Sequence, residues 1–313
     1  MNSPILTITL NPAIDKVYAI DNFEVDKVFR PREMTATAGG KGLNVSRVAQ
    51  RLGEPVVATG FVGGGNGQYI EKRVIEAGIV SEFVQIEGES RICIAVMDQP
   101  NHTSTEILEP GPTISAGEIE LFFSKYRQLL KNCAVVTASG SLPKGIPADF
   151  YAELIKIAKQ QDVKFILDSS GESLLQGIKA SPYMIKPNLE EVEKILGYEL
   201  NSLEKQAKAI SELKKAGVEM PCITLGEEGC IASLLEGVFY FYSDPIDVLN
   251  TVGSGDSFVA GCAVGFARQM NPIDQIKLGM ASGMANTQFF ETGMISLELV
   301  QRFLSQIKYR QVK

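Results

Sequence analysis

The sequence predicts a doubly wound α/β sandwich, on two observations. Short, almost wholly apolar runs alternate with amphipathic helical segments along most of the chain, and those runs lack the in–out alternation of a half-exposed strand. Strands that are apolar on both faces belong to a parallel sheet covered by helices on each side. Strand–helix alternation is the pattern that builds such a sheet.

The elements follow in order. PILTITL (4–10) reads as the first strand, LNVSRVAQRL (43–52) as a helix, VVATGFV (56–62) as a strand and GQYIEKRVIEAG (67–78) as a helix. SAGEIELFFSKYRQLL (115–130) is a helix, CAVVTAS (133–139) a strand, DFYAELIKIAKQ (149–160) a helix and VKFILDS (163–169) a strand. YMIKP (183–187), the helix SLEKQAKAISELKKAG (202–217) and PCITLG (221–226) continue the alternation. The helices carry an apolar stripe at helical spacing, and several end at glycine. Residues 12–36 and 90–108 break the pattern with short alternating runs, and RICIAVMDQPNHTSTEIL reads as a hairpin turning at QPNHT. The expectation is a single domain over 1–313, with a small β-sheet inserted from those two segments and placed as a lid over the sandwich. His102, the only histidine, falls at the hairpin tip, which argues against histidine-based acid–base chemistry.

Composition narrows the function. The chain has 313 residues, 45% of them hydrophobic and 21% charged, close to a soluble globular average. A net charge of −7 disfavours nucleic-acid and membrane-surface partners, which call for basic faces. An anionic substrate would have to be met by a local group of cations. Five scattered cysteines form no C-x-x-C pair and read as buried, reduced thiols. The start, MNSPILTITLNP, lacks the charged and apolar regions of a secretion signal, and no apolar run reaches the ~18 residues that span a bilayer. The expected location is cytoplasmic.

Two glycine-rich stretches stand out. In TAGGKGLNVSRVAQRLG (37–53), Gly39, Gly40 and Gly42 precede a helix, so backbone N–H groups can converge on an anion there, with Lys41 adding charge. This is neither a Walker A loop nor G-x-G-x-x-G; it could also merely close a strand against a helix. In NTVGSGDSFVAG (250–261), Gly253 and Gly255 flank Ser254 and lead into a helix apolar around most of its circumference, which must be buried. Asp256 at its start is either a helix N-cap or a catalytic carboxylate. Other polar or glycine-rich groups follow predicted strands: Asp15 after TLNPAID, GSLPKG (140–145), Asn188 and Glu191 in N-x-x-E, and TLGEEG (224–229). Their shared position at carboxyl ends of strands points to one crevice. A nicotinamide dehydrogenase would need G-x-G-x-x-G after the first strand, where this chain has NPAID.

Together these motifs resemble the PfkB branch of the ribokinase-like sugar kinases. AGGKGLNVSRVAQRLG and NTVGSGDSFVAGCAVG match that family's two signature regions, and FVGGGNGQYI, EILEPGP, ASGSLPKG, LDSSGESL and KPNLEEVEKILG extend the likeness over essentially the whole chain. TLNPAID, GGKGLNV and EPGP are similar to the kinases of phosphorylated ketohexoses, the tagatose-6-phosphate kinases and 1-phosphofructokinases. GSLPKG, VGSGDS and GMANTQFFETG lean toward the former.

The resemblance implies a ribokinase-like three-layer αβα fold and transfer of phosphate from ATP, with Mg²⁺, to a ketohexose monophosphate. The product would be a 1,6-bisphosphate, made from tagatose-6-phosphate or alternatively from fructose-1-phosphate; a non-catalytic sensor of such ligands is a remoter reading. Asp256 would be the base, and Gly253, Ser254 and Gly255 the anion hole. Asp15, Gly39, Gly40, Lys41, Asn44 and Ser139 would meet the sugar, and Lys27 and Arg91 its phosphate. Lys186, Asn188, Thr224, Gly226, Gly229 and Asn286 would line the nucleotide, with Asn188 and Glu191 organising Mg²⁺ indirectly. Lys27 and Arg91 could instead be solvated surface charge, Glu191 an ordinary first-turn helix acid, and Asn286 a solvent-facing helical residue. An uncovered edge of the small sheet predicts a homodimer through the lid.

Overall fold

The computed structural model describes residues 3–312. In chain order the strands are β1 (Ile5–Thr9), β2 (Ala13–Ala19), β3 (Glu33–Gly39), β4 (Val56–Gly63), β5 (Val80–Ser81), β6 (Val84–Ile86), β7 (Arg91–Asp98), β8 (Thr103–Leu108), β9 (Val135–Ser139), β10 (Lys164–Asp168), β11 (Met184–Ile185), β12 (Met220–Thr224), β13 (Cys230–Leu234), β14 (Gly237–Tyr242) and β15 (Lys308–Gln311). The helices are α1 (Lys41–Arg51), α2 (Gly64–Glu76), α3 (Ala116–Leu130), α4 (Phe150–Gln160), α5 (Gly171–Lys179), α6 (Leu189–Leu196), α7 (Leu203–Lys215), α8 (Ser254–Ala267), α9 (Pro272–Asn286) and α10 (Leu297–Gln306).

Eleven strands form the main sheet, in the order β15-β14-β13-β12-β11-β10-β9-β1-β4-β5, with β6 also on β4. From β12 to β5 every pairing is parallel; β13, β14 and β15 extend that edge antiparallel. Period-two alternation in β1 divides the core: Ile5 packs into one apolar cluster with α1, α8 and α9, while Leu6 and Ile8 pack into the other with α3, α4 and α5. Helices thus cover both faces, as the apolar runs predict. The strand expected at 183–187 shrinks to Met184–Ile185, because Pro182 and Pro187 flank it and lack ladder donors. No expectation covered the edge strands β13–β15 or the helices α5 and α10, and of α9 only a helix around Asn286 was expected.

Chain direction across the sheet locates the crevice. After β1 the chain moves outward to β4 on one side; from β9 onward it moves outward on the other. The reversal falls between β1 and β9, and ligands of open α/β sheets bind outside the carboxyl ends of strands at such a switch point.

Segments 12–36 and 90–108 build a separate four-stranded sheet, β3-β2-β7-β8. Its central pair, β2–β7, is parallel and its edges antiparallel. Ile14 and Ala38 bury one face in the core shared with α2, and Tyr69 of α2 donates a 2.9 Å hydrogen bond to the Ala36 carbonyl. The opposite face carries Asp15 beside Cys93 of the neighbouring strand. His102 turns the hairpin with φ 53° and is exposed. No helix among the described residues is long and apolar enough to cross a membrane.

Candidate active site

Two helix N-termini meet at the switch point. α1 starts behind Gly40 (φ 108°) and α8 behind Gly253 (φ 82°), both in backbone regions that favour glycine, and no side chain caps either helix. The Ser254 N–H donates to the Thr251 carbonyl at 3.2 Å and the Leu43 N–H to the Gly40 carbonyl at 2.9 Å. Among the described residues it is therefore the amides of Lys41 and Gly42 on α1 and of Gly255 and Asp256 on α8, with the positive dipole ends, that remain available to an anion. The two termini are joined directly: Asn44 Nδ2 on α1 donates to Asp256 Oδ2 on α8 at 2.7 Å. α8 is held rigidly, since ten of its residues are buried and a Cβ on Gly261 would strike the α9 backbone at Leu278 and Gly279.

Asp256 is buried without serving as a cap. Burial, and then the nearby Asp168 carboxylate, push its pKa up from 3.8 to about 6, against the Asn44 hydrogen bond and the charges of Lys41 and Lys186. A carboxylate of that pKa is ionised at neutral pH yet a better proton acceptor than an exposed aspartate.

Beneath it lies a buried ion pair with no counterpart among the sequence expectations. Asp168, at the carboxyl end of β10, stands 3.4 Å from Lys186 Nζ, and both residues are almost fully buried. Burial works against the Lys186 charge, but Asp168, Asp256 and Glu191 outweigh it and hold the pKa above its ordinary value. A Cβ added to Gly255 would come within 3.2 Å of Lys186 Nζ, so the ammonium sits against the α8 turn. Among the described residues Asp168 Oδ2 has no partner, nor have Ser139 Oγ, Thr9 Oγ1 and Asn11 Oδ1, all buried at the same end of the sheet. Ser139 is paired in register with Asp168. Buried polar atoms without partners are rare, and a row of them marks a place where a polar ligand completes the set.

The sugar-side expectations divide. A Cβ on Gly39 would fall inside the Asp15 carboxyl group, so glycine there lets β3 pass close to that acid. Burial raises the Asp15 pKa, opposed by Arg47 and Arg91. Lys41 stands exposed at the start of α1, with its Cβ 3.8 Å from the position of a Cβ on Gly140. Arg91 is half-buried rather than freely solvated: it donates to the Asn11 carbonyl through Nε and Nη2 and to the Glu109 carbonyl through Nη1, at 3.0–3.1 Å. These are the chain crossings into β2 and out of β8, so Arg91 pins the small sheet to the sandwich. Lys27 is not brought to the others; it lies exposed on the loop between β2 and β3, with no hydrogen bond or ion pair among the described residues.

On the nucleotide side, Asn188 and Glu191 form a capping box on α6: the Asn188 N–H donates to Glu191 Oε2 at 2.9 Å and the Glu191 N–H to Asn188 Oδ1 at 2.8 Å. The first-turn-acid reading of Glu191 is therefore correct as far as it goes, although its other oxygen makes no hydrogen bond among the described residues. Thr224 ends β12 and bridges to Asn188; Gly226 and Gly229 bound the single 3₁₀ turn that follows. Asn286 departs from the solvent-facing reading. It does not face solvent but is fully buried, donating to the Val252 carbonyl and accepting from the Gly293 N–H, each at 2.9 Å. Its carboxamide braces the turn that leads into α8.

Sequence reasoning missed Asp168 and Arg47. Arg47, on α1, donates to the Ala38 carbonyl, to Asn44 Oδ1 and to the Thr292 carbonyl. For Asp168 the available signal was an acid ending the apolar run KFILD; Arg47 shares its face of α1 with Asn44, Gln50 and Arg51 and offered none.

Paired helix N-termini, a buried carboxylate of raised pKa and a buried lysine at one switch point are the parts that phosphoryl transfer uses, here on a three-layer α/β fold. Residues 2–297 match the pfkB family carbohydrate kinases, and the chain belongs to that family as an ATP-dependent sugar kinase. It is 41% identical over 311 residues to a tagatose-6-phosphate kinase of Staphylococcus epidermidis, covering 98% of this chain and all of that protein. A Thermotoga maritima structure described as a possible 1-phosphofructokinase superposes with a TM-score of 0.90 at 30% identity, covering 99% of each chain. Phosphofructokinase-2 of Escherichia coli shares the fold, with a TM-score of 0.90 at 24% identity over 97% of this chain and 99% of that one.

Proposed function

We propose that the protein transfers the γ-phosphoryl group of ATP to a hydroxyl of a ketohexose monophosphate, giving a 1,6-bisphosphate, with tagatose-6-phosphate as the preferred acceptor. The observation that carries the chemistry is Asp256, buried with a raised pKa and hydrogen-bonded across two uncapped helix starts. The acceptor hydroxyl attacks the γ-phosphorus and its proton passes to Asp256. The bond to the bridging oxygen breaks, and ADP leaves with the electron pair. Amides of Gly253 and Gly255 are preorganised for the charge on the transferring group, the Ser254 N–H being held by the Thr251 carbonyl, and Lys186 balances that charge from below. Asp15 and Asn44, with the turn at Gly39, Gly40 and Lys41, hold the sugar, and Ser139 lies within the same row. Arg91 and Lys27 on the small sheet meet the substrate phosphate, which for Lys27 requires its loop to fold inward as a lid.

Thr224, Gly226 and Gly229 line the triphosphate. Asn188 and Glu191, whose second carboxylate oxygen makes no hydrogen bond among the described residues, would hold Mg²⁺ indirectly, and the ion would neutralise phosphate charge. ATP, sugar phosphate and unpaired thiols are consistent with a cytoplasmic enzyme.

Tagatose-6-phosphate is favoured by the 41% identity to a kinase of that name. The second reading is a 1-phosphofructokinase, favoured by the Thermotoga neighbour; both substrates place one phosphate opposite the reacting hydroxyl. Measured kcat/KM for tagatose-6-phosphate should exceed that for fructose-1-phosphate and fructose-6-phosphate by roughly tenfold or more, the discrimination a few hydrogen bonds supply. Preference for an unphosphorylated sugar would overturn the substrate class.

A homodimer through the small sheet is part of the same proposal. All six residues of β8 are exposed, Ile107 and Leu108 among them, and Val25 and Val28 are 89% and 93% exposed on the loop between β2 and β3. An apolar strand edge of this kind finds a partner. Light scattering at micromolar concentration should give twice the 34.0 kDa chain mass; a monomer there, unchanged by substrate, would refute it.

A further inference from the structure

Arg47 sits at a junction that the reaction chemistry does not itself require. Its side chain is half-buried and its guanidinium is bound by three acceptors from three parts of the chain: Ala38 at the end of β3, Asn44 one turn back on α1, and Thr292 in the loop after α9. Gly293 of that loop packs on it so closely that a Cβ there would lie 3.2 Å from Arg47 Nε. The guanidinium therefore has one place to be.

An arginine can only donate. The group that Asn44 turns toward Arg47, 2.5 Å away, must be its carbonyl oxygen, so its NH₂ must point the opposite way. There it meets Asp256 Oδ2 at 2.7 Å. Asp256 Oδ1 makes no hydrogen bond among the described residues.

We infer that Arg47 is a positioning residue for the transfer step: by fixing which end of the Asn44 carboxamide faces Asp256, it ties down one carboxylate oxygen and leaves the other as the single basic atom presented to the acceptor hydroxyl. This rests on Asp256 being the base. With the guanidinium gone, the carboxamide can turn over and set oxygen against oxygen, which loosens the carboxylate and favours its protonated form. The other groups facing Asp256 are Asp168 from β10, Lys186 beyond β11 and Lys41 on α1, while Asp15 and Glu291 face Arg47.

The test is the pH dependence of kcat for the unaltered enzyme, Arg47→Met, Asn44→Leu, the double variant and Asp256→Asn. Arg47→Met should lower kcat by roughly tenfold or more, with KM for ATP little changed, because only the transition state loses the aligned oxygen. Its acid limb should move upward, and Asn44→Leu should move it likewise. Adding Arg47→Met to Asn44→Leu should then move it no further. Additive shifts would mean that Arg47 acts through its charge alone and would overturn the inference, as would an unmoved limb in Arg47→Met. If Asp256→Asn keeps its activity, the base assignment fails instead, a distinct outcome. Should thermal denaturation show Arg47→Met unfolded, Arg47→Lys decides. It keeps the charge but cannot span all three acceptors, so a displaced limb supports orientation and an unmoved limb refutes it.

Discussion

Replacing Asp256 with asparagine is expected to abolish most of the activity and to make the protein more stable. The catalytic half follows from losing a general base, for which kcat should fall by roughly 10²–10⁴ with little change in ATP binding. The stability half follows from the pKa of about 6, raised from 3.8 chiefly by burial. The folded state binds that proton more tightly than the unfolded chain. Asp256 therefore costs nothing below pH ~4; as pH rises through the folded pKa near 6, stability is lost, and the full cost is felt above it. Two pKa units correspond to on the order of 2–3 kcal/mol. Asparagine keeps an acceptor for Asn44 and carries no charge. In urea at pH 8 the variant should gain stability of that order, and the gain should vanish near pH 4. Equal stability of the two proteins at pH 8 would contradict the buried, charged description of this site; near-native activity would contradict the mechanism.

That pairing of cost and function bears on what the sequence could and could not disclose. GGKG and GSGD were readable because glycines do local work there: positive φ at Gly40 and Gly253, and close approach at Gly39. Such demands are met within a few residues and leave a local trace. The sandwich was readable because strands buried on both faces have no polar side to show. Asp168 left no comparable trace. An acid after an apolar run also suits a cap or a turn, and only the pairing of β10 with β9 and β11 brings it beneath Asp256 and beside Lys186. Arg47 was hidden for the same reason, since two of its three acceptors lie outside α1. Asn286 shows the converse. A place in a late helix left an outward side chain open, whereas one end of its carboxamide is spent on the turn before Gly253 and the other on Gly293 in the loop after α9.

Lys186→Met should have the largest effect on the fold of any change in the crevice. The ammonium lies between Asp168 and the α8 turn and is almost fully buried. Without it, two buried carboxylates face each other with no cation beneath them. Removing one partner of a buried pair costs about 3–5 kcal/mol, because the remaining charge is left uncompensated. One of the two acids should then take up a proton. Asp256 already has the raised pKa, so the acid limb of kcat should move above pH 6. At neutral pH the fall in kcat should reach roughly 10²–10³, as the transferring phosphoryl group also loses a preorganised cation. Asp168→Asn makes the opposite prediction from the same geometry. It removes the like charge, so the Asp256 pKa drops and the acid limb moves downward, while Lys186 keeps Asp256 and Glu191 as counter-charges. Opposite displacements of the limb in the two variants are the signature of a three-charge cluster. Displacement in the same direction, or none in either, would show that Asp168 and Lys186 do not set the charge on the base.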